Sequence, residues 1–200
     1  MLDVLRTYAL YNPEIEYCQG MNYVASFLIM VFNNTEVAFK ALVVIVRRFG
    51  IADLFNKQLP KIKMFFFQMD RLLNIVDADL NNHFREENLS STLFASAWFI
   101  TIFTNSLKEN AENMVVNESL LQLWDYFMVA GWNAVLKMGV YILSSHSRLL
   151  LQMPFEDILP EINEFVCAAL PQSRSTQANL FQVISKEFKD LKLSFHIERL

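Results

Sequence analysis

Glycine and proline are scarce here, four and five in 200 residues. Sheet proteins need many tight turns, and these residues supply them. Their scarcity points to packed helices joined by few connections. Cysteine is scarcer still. Cys18 and Cys167 make no disulfide framework, which fits a reducing cytosolic setting. Net charge is only -4, with no dense basic stripe, so nothing favours nucleic acid as a partner. What the chain has in plenty is apolar surface: 54% hydrophobic residues, including 18 Phe. Two stretches, 17–35 and 88–107, carry no charge. A membrane span needs about twenty predominantly apolar residues. Asn, Ser and Thr interrupt both stretches, and Gln19-Gly20 interrupts the first, so both read as core helices and no integral span is expected. Asn-x-Ser/Thr triplets begin at Asn33, Asn88 and Asn117. They would matter only in a secreted protein, and the first residues show no basic-then-apolar signal pattern.

Apolar periodicity and cap residues predict about nine helices and no internal repeat. The expected spans are 2–11, 21–32, 36–49, a short piece at 52–56, 60–76, a short helix ending at 87, 90–104, 118–129, 132–151 and 155–169. Asn34 or Thr35 caps the third, Asp77 the one ending at 87, Ser90 or Ser91 the one after it. Gly50 and Gly131 mark breaks. Pro60 suits a first turn, and Pro160 is expected to bend the helix that contains it. Residues 108–113 read as a polar loop. Residues 171–175 read as a linker, with Thr176 capping a last amphipathic helix.

The most informative segment is Asn12-Pro13 through Asn22. Pro13 stops any helix running through from the left. Gly20 can adopt backbone angles closed to other residues, or let a neighbour approach closely. Gln19 is therefore expected in a turn just before a buried helix, a mount for one presented side chain. Tyr17 and Met21 are expected to pack. The run Tyr17-Cys18-Gln19-Gly20-Met21, followed by Asn22, resembles the glutamine-finger motif (Tyr-x-Gln-Gly-Met) of the TBC domain. This is the Tre-2/Bub2/Cdc16 family of Rab GTPase-activating proteins. Leu59-Pro60 before a Phe-rich helix is similar to that family's middle region. Trp98, Phe99 and Phe103 look like its Trp-x(4)-Phe stretch. The run 120–127, with Trp124-Asp125, and then Gly131 resembles its Trp-Asp motif. The likeness covers roughly residues 1–170, as against the linker and helix of 171–200.

The resemblance implies an all-helical fold and a glutamine finger, Gln19, offered to a Rab-family GTPase. Tyr17, Cys18, Gly20, Met21, Asn22, Trp124 and Asp125 would support the motif or contact the partner. GTP and Mg would be held by that partner, leaving the chain with no cofactor or metal of its own. Location would be cytoplasmic, with peripheral attachment to endomembranes through the partner. The family also supplies an arginine finger, from an Ile-x-x-Asp-x-x-Arg motif well upstream of the glutamine motif. No arginine finger is found in this sequence. Asp3-Val4-Leu5-Arg6 mimics half of that motif, but Arg6 lies only thirteen residues before Gln19, inside the wrong helix. The expectation is a TBC-like domain lacking its N-terminal part. An arginine finger is worth about 10³–10⁵ in rate, so weak stimulation at best is expected of this chain alone. The alternative is an interaction module that binds a GTPase or adaptor without accelerating hydrolysis.

Other motifs are weaker. Asp77-Ala78-Asp79-Leu80-Asn81 starts like a calcium loop, but Asn82 and Asn88 stand where Gly and the bidentate Glu belong. His83 with Glu86 and Glu87 falls short of a metal set. His146 and His196 read as surface or packing residues, and no Gly-rich phosphate loop occurs. Ser144, Ser145 and Ser147 lack a nucleophile-elbow context. The Phe65–Phe67 run reads as core.

Overall fold

The computed structural model describes residues 1–15, 17–54, 60–106 and 118–169. Among these residues there is no strand. The helices are α1 (Leu2–Tyr11), α2 (Met21–Phe32), α3 (Thr35–Arg48), α4 (Pro60–Val76), α5 (Ala78–Glu86), α6 (Ser91–Phe94), α7 (Ser96–Thr101), α8 (Glu118–Ala130), α9 (Trp132–Ser145), α10 (Ser147–Leu150) and α11 (Phe155–Ala169). Single 3-10 turns occupy Ile51–Leu54 and Thr104–Ser106. No helix of the described residues is long and apolar enough to cross a membrane. The polar loop at 108–113, the linker, the Thr176 helix and His196 fall outside the described residues.

Local capping chemistry sets several boundaries. The Asn34 side chain accepts from the Glu36 and Val37 amides, so Asn34 rather than Thr35 starts α3. Asp77 accepts from the Leu80 amide and Ser90 from the Thr92 amide. Asp77 therefore caps a helix and opens no calcium loop. At its far end α3 leaves carbonyls without helical partners. Lys61 donates to the carbonyls of Phe49 and Gly50 at 2.9 and 2.7 Å, and the Trp132 indole donates to Phe49 at 2.8 Å. Burial pulls the Lys61 ammonium below the usual lysine range, and Asp53 at 3.8 Å opposes that shift.

Two expected helices are interrupted. The helix predicted from Ser90 or Ser91 to Thr104 is broken after Phe94 and again at Ile102 and Phe103, whose φ angles are 50° and 61°. The helix predicted over 132–151 breaks at His146. Its Nδ1 lies 2.8 Å from the Ile142 carbonyl and its ring stacks on Phe165 of α11 at 3.7 Å. Packing against α11 thus overrides helix periodicity at that point. The piece expected at 52–56 is the 3-10 turn Ile51–Leu54.

An aromatic chain runs through the interior. Phe27 of α2 meets Trp124 of α8 at 4.5 Å, which meets Phe127 at 5.8 Å. Phe127 meets Trp132 at 5.4 Å, Trp132 meets Phe65 at 4.8 Å, and Phe65 stacks on Phe99 at 4.9 Å. Such ring pairs add about 0.5–1.5 kcal/mol each beyond the area they bury. Gly139 of α9 lets α4 come close: a Cβ there would sit 2.6 Å from Met69 Cε and 3.0 Å from the Trp98 ring. The Phe65–Phe67 run departs from the core reading: Phe65 is buried and Phe66 half-buried, but Phe67 is exposed, because consecutive positions on a helix face different ways.

Candidate functional site: the Gln19 turn

The segment between α1 and α2 is built by its own side chains. The α1 helix ends where the Asn12 amide donates to the Tyr8 carbonyl, and Pro13 and Glu14 form an exposed turn. Gln19 and Gly20 make a second turn, closed by the Met21 amide donating to the Cys18 carbonyl at 3.1 Å. The Asn22 carbonyl oxygen (Oδ1) accepts twice: from the Gly20 amide at 3.2 Å and the Tyr17 hydroxyl at 3.3 Å. The Cys18 amide points to Met21 Sδ at 3.3 Å. Each bond is modest, about 0.5–1.5 kcal/mol net. Together they set the path of four residues around Gln19.

Gly20 meets two demands at once. Its φ of 112° lies where L side chains rarely go. It also lies against α7: a Cβ on it would stand 2.5 Å from Ile100 Cγ2 and 3.3 Å from Thr101 Cγ2. With Met21 buried and Cys18 half-buried, the turn is fastened inward on both sides of Gln19. Gln19 itself is exposed. Its primary amide offers an acceptor and two donors to solvent. Burial pushes the Cys18 thiol above its usual range, which disfavours the reactive thiolate.

Tyr17 departs from expectation. The sequence predicts that it packs, but it is 61% exposed, with its hydroxyl donating to Asn22. The Pro13-containing turn and the Asn22 bond hold it at the surface beside Gln19. Trp124 and Asp125 part company, because neighbours on a helix point about 100° apart. Trp124 is buried under α2 through Phe27, and its indole donates to the Ile102 carbonyl at 3.2 Å. Asp125 is exposed. Arg6 is an exposed residue of α1.

Sequence reasoning missed Ile100 and Thr101, which lie under Gly20, and the left-handed angles of Ile102 and Phe103 just after them. No Gly or Pro flags the left-handed bend there. The only local hint is a run of β-branched and aromatic residues, Ile-Thr-Ile-Phe-Thr, which fits a helix poorly. The weak metal candidates have structural duties instead. His83 Nε2 lies 3.0 Å from the Met153 carbonyl, and Glu87 accepts from the Phe155 amide at 2.9 Å. Both tie the end of α5 to the start of α11.

The sequence model of the Rab-GTPase-TBC domain matches residues 1–151. The chain is similar to the GTPase-activating protein GYP5 of Saccharomyces cerevisiae, 29% identical over 159 residues, covering 80% of this chain and 17% of that protein. It is 28% identical over 189 residues to the Rab GTPase-activating protein tbc-11 of Caenorhabditis elegans, covering 94% and 19%. With TBC1 domain family member 1 of Mus musculus it shares 26% identity over 203 residues, covering 98% and 15%. The chain thus spans less than a fifth of the length of these relatives. The fold is similar to the crystal structure of the Ypt/Rab-GAP domain of Gyp1p, with a TM-score of 0.71 and 19% identity, over 93% of this chain and 63% of that one.

Proposed function

The chain belongs to the Rab-GTPase-TBC domain family, and we propose that it binds a Rab-type small GTPase and presents Gln19 in trans to the GTP and Mg held there. GTP hydrolysis is limited by placing the attacking water and by charge at the transferring phosphoryl group. A glutamine amide suits the first need. Its carbonyl accepts from the water while its N–H donates to a phosphate oxygen. One observation carries the reading: the only exposed side chain between half-buried Cys18 and buried Gly20 and Met21 is that of Gln19, on a turn whose shape a glycine at φ 112° and the Asn22 bonds maintain. A side chain placed by a rigid turn loses little freedom when it docks, which is what positioning catalysis requires. Exposed Tyr17 and half-buried Asn22 belong to the contacting rim in this reading, and exposed Asp125 extends it. Attachment to endomembranes would follow from the partner.

The test is single-turnover GTP hydrolysis across a panel of Rab proteins with this chain in large excess. Stimulation that Gln19→Ala removes supports the reading; stimulation that survives Gln19→Ala refutes it. Binding without stimulation, by a chain whose Gln19 turn is intact, selects the second reading, an interaction module that binds a GTPase or adaptor without accelerating hydrolysis.

A further inference from the structure

The Gln19 turn rests on the end of α7, and that end is held in an unusual shape. Gly20 lies so close to Ile100 and Thr101 that no side chain fits between them. Immediately afterwards Ile102 and Phe103 take φ angles of 50° and 61°, although both are fully buried and Ile102 is β-branched. A bulky residue with positive φ is a strained conformation that persists only when its surroundings over-determine it. Three contacts do so here. Phe103 stacks on Trp98 at 5.3 Å. The Thr104 hydroxyl donates to the Thr101 carbonyl at 2.6 Å. The Trp124 indole donates to the Ile102 carbonyl at 3.2 Å.

Trp124 also touches α2, the helix that the Gln19 turn opens. Its ring lies 4.5 Å from Phe27. One side chain therefore grips the residue that ends α7 with its N–H and the helix leading out of the turn with its ring. We infer that Trp124 is a positioning residue for Gln19: its indole N–H holds the left-handed end of α7 that seats Gly20. The inference rests on the proposed glutamine-finger reading. A tryptophan that merely fills the core would be replaced by another ring at a cost in stability alone. One that sets the seat would also change the rate at saturation, because small displacements of a positioned group cost rate more than affinity.

The experiment compares wild-type chain, Trp124→Phe and Gln19→Ala in single-turnover hydrolysis by a responsive Rab, over a range of chain concentrations. Maximal rate and half-saturation concentration are then read separately. Trp124→Phe keeps a ring and loses the N–H. It is expected to lower the maximal rate about tenfold, with half-saturation within about twofold of wild type. Amide hydrogen exchange supplies a readout independent of activity. Exchange across 18–23 should quicken in Trp124→Phe while the buried amides of α9 keep their protection. Unchanged exchange across 18–23, or an unchanged maximal rate in the folded variant, overturns the inference. Uniform acceleration throughout the chain also overturns it, because it marks a general loss of stability. If Trp124→Phe fails to fold, benzothienylalanine at position 124 keeps the shape without the N–H and faces the same two criteria. Gln19→Ala with wild-type rate refutes the functional reading instead, and the exchange result still judges the seat.

Discussion

Gly20, at the entry to α2, lies against Ile100 and Thr101 at the end of α7, and Ile102 follows directly; Gly20 and Ile102 both have positive φ. The first turn uses glycine, and the second uses isoleucine followed by phenylalanine. At Gly20 the limit is space as well as angle, since Ile100 occupies the place of a side chain. The segment is short, exposed at Tyr17 and Gln19, and held by hydrogen bonds of its own side chains. At Ile102 and Phe103 the limit is strain, offset by complete burial and ring packing. A left-handed residue costs roughly 1–2 kcal/mol, less than burial of a large apolar side chain contributes, about 1.5–3 kcal/mol. At Gly20 there is no room for a side chain whose burial could offset the angle, so that turn needs glycine. The core turn has that room, so it does without.

The largest test of this contrast is Phe103→Ala. Removing the ring that stacks on Trp98 should cost about 3–5 kcal/mol in denaturant unfolding. A loss under about 1 kcal/mol would mean that burial is not what holds the core turn. Next is Gly20→Ala, which removes no core side chain but presses a Cβ on Ile100 and Thr101. It should cost about 1–3 kcal/mol through the backbone angle and the Ile100 contact, and any GTPase stimulation should fall with it. A neutral Gly20→Ala in both stability and activity would remove the distinction between the two turns. Asn22→Ala is a smaller change. Losing one acceptor shared by Tyr17 and Gly20 should cost about 1 kcal/mol, with faster amide exchange confined to the turn.

The smallest expected effect lies away from both turns, at Asp70 of α4. Burial pushes its carboxyl above the usual range, against opposing help from Ser91 and Arg85. Between the usual carboxylate range and the raised folded value the native state holds more protons than the unfolded chain. Stability contributed by this group therefore falls as pH rises through that window. Asp70→Asn should raise the melting temperature slightly at neutral pH, and the gain should vanish in acid. A gain that persists unchanged in acid would mean that the carboxyl's charge is not the cause.

Much of the helical framework is legible from local signals. The spans of α1, α2 and α4 follow from periodicity and from Pro13, Gly20 and Pro60. Asn34, Asp77 and Ser90 cap helices because their short polar side chains reach nearby amides. Gln19 too was readable as a presented side chain, from Gly20 and the apolar run after it. What was not readable depends on partners distant in sequence. Ile102 is bent by an indole twenty-two positions later, and His146 ends α9 by stacking on Phe165. Tyr17 is exposed because its hydroxyl finds Asn22 and not the core.

The amino-acid sequence by itself determined an all-helical chain, most of its helix ends and the turn that carries Gln19. Those features follow from interactions between residues a few positions apart. Only the tertiary structure decided what the turn rests on: a strained end of α7, seated under Gly20 and held by Trp124. The physical reason is that a bulky residue takes a left-handed angle only when its surroundings over-determine it, here through burial and contacts with side chains distant in sequence. No local pattern encodes that arrangement.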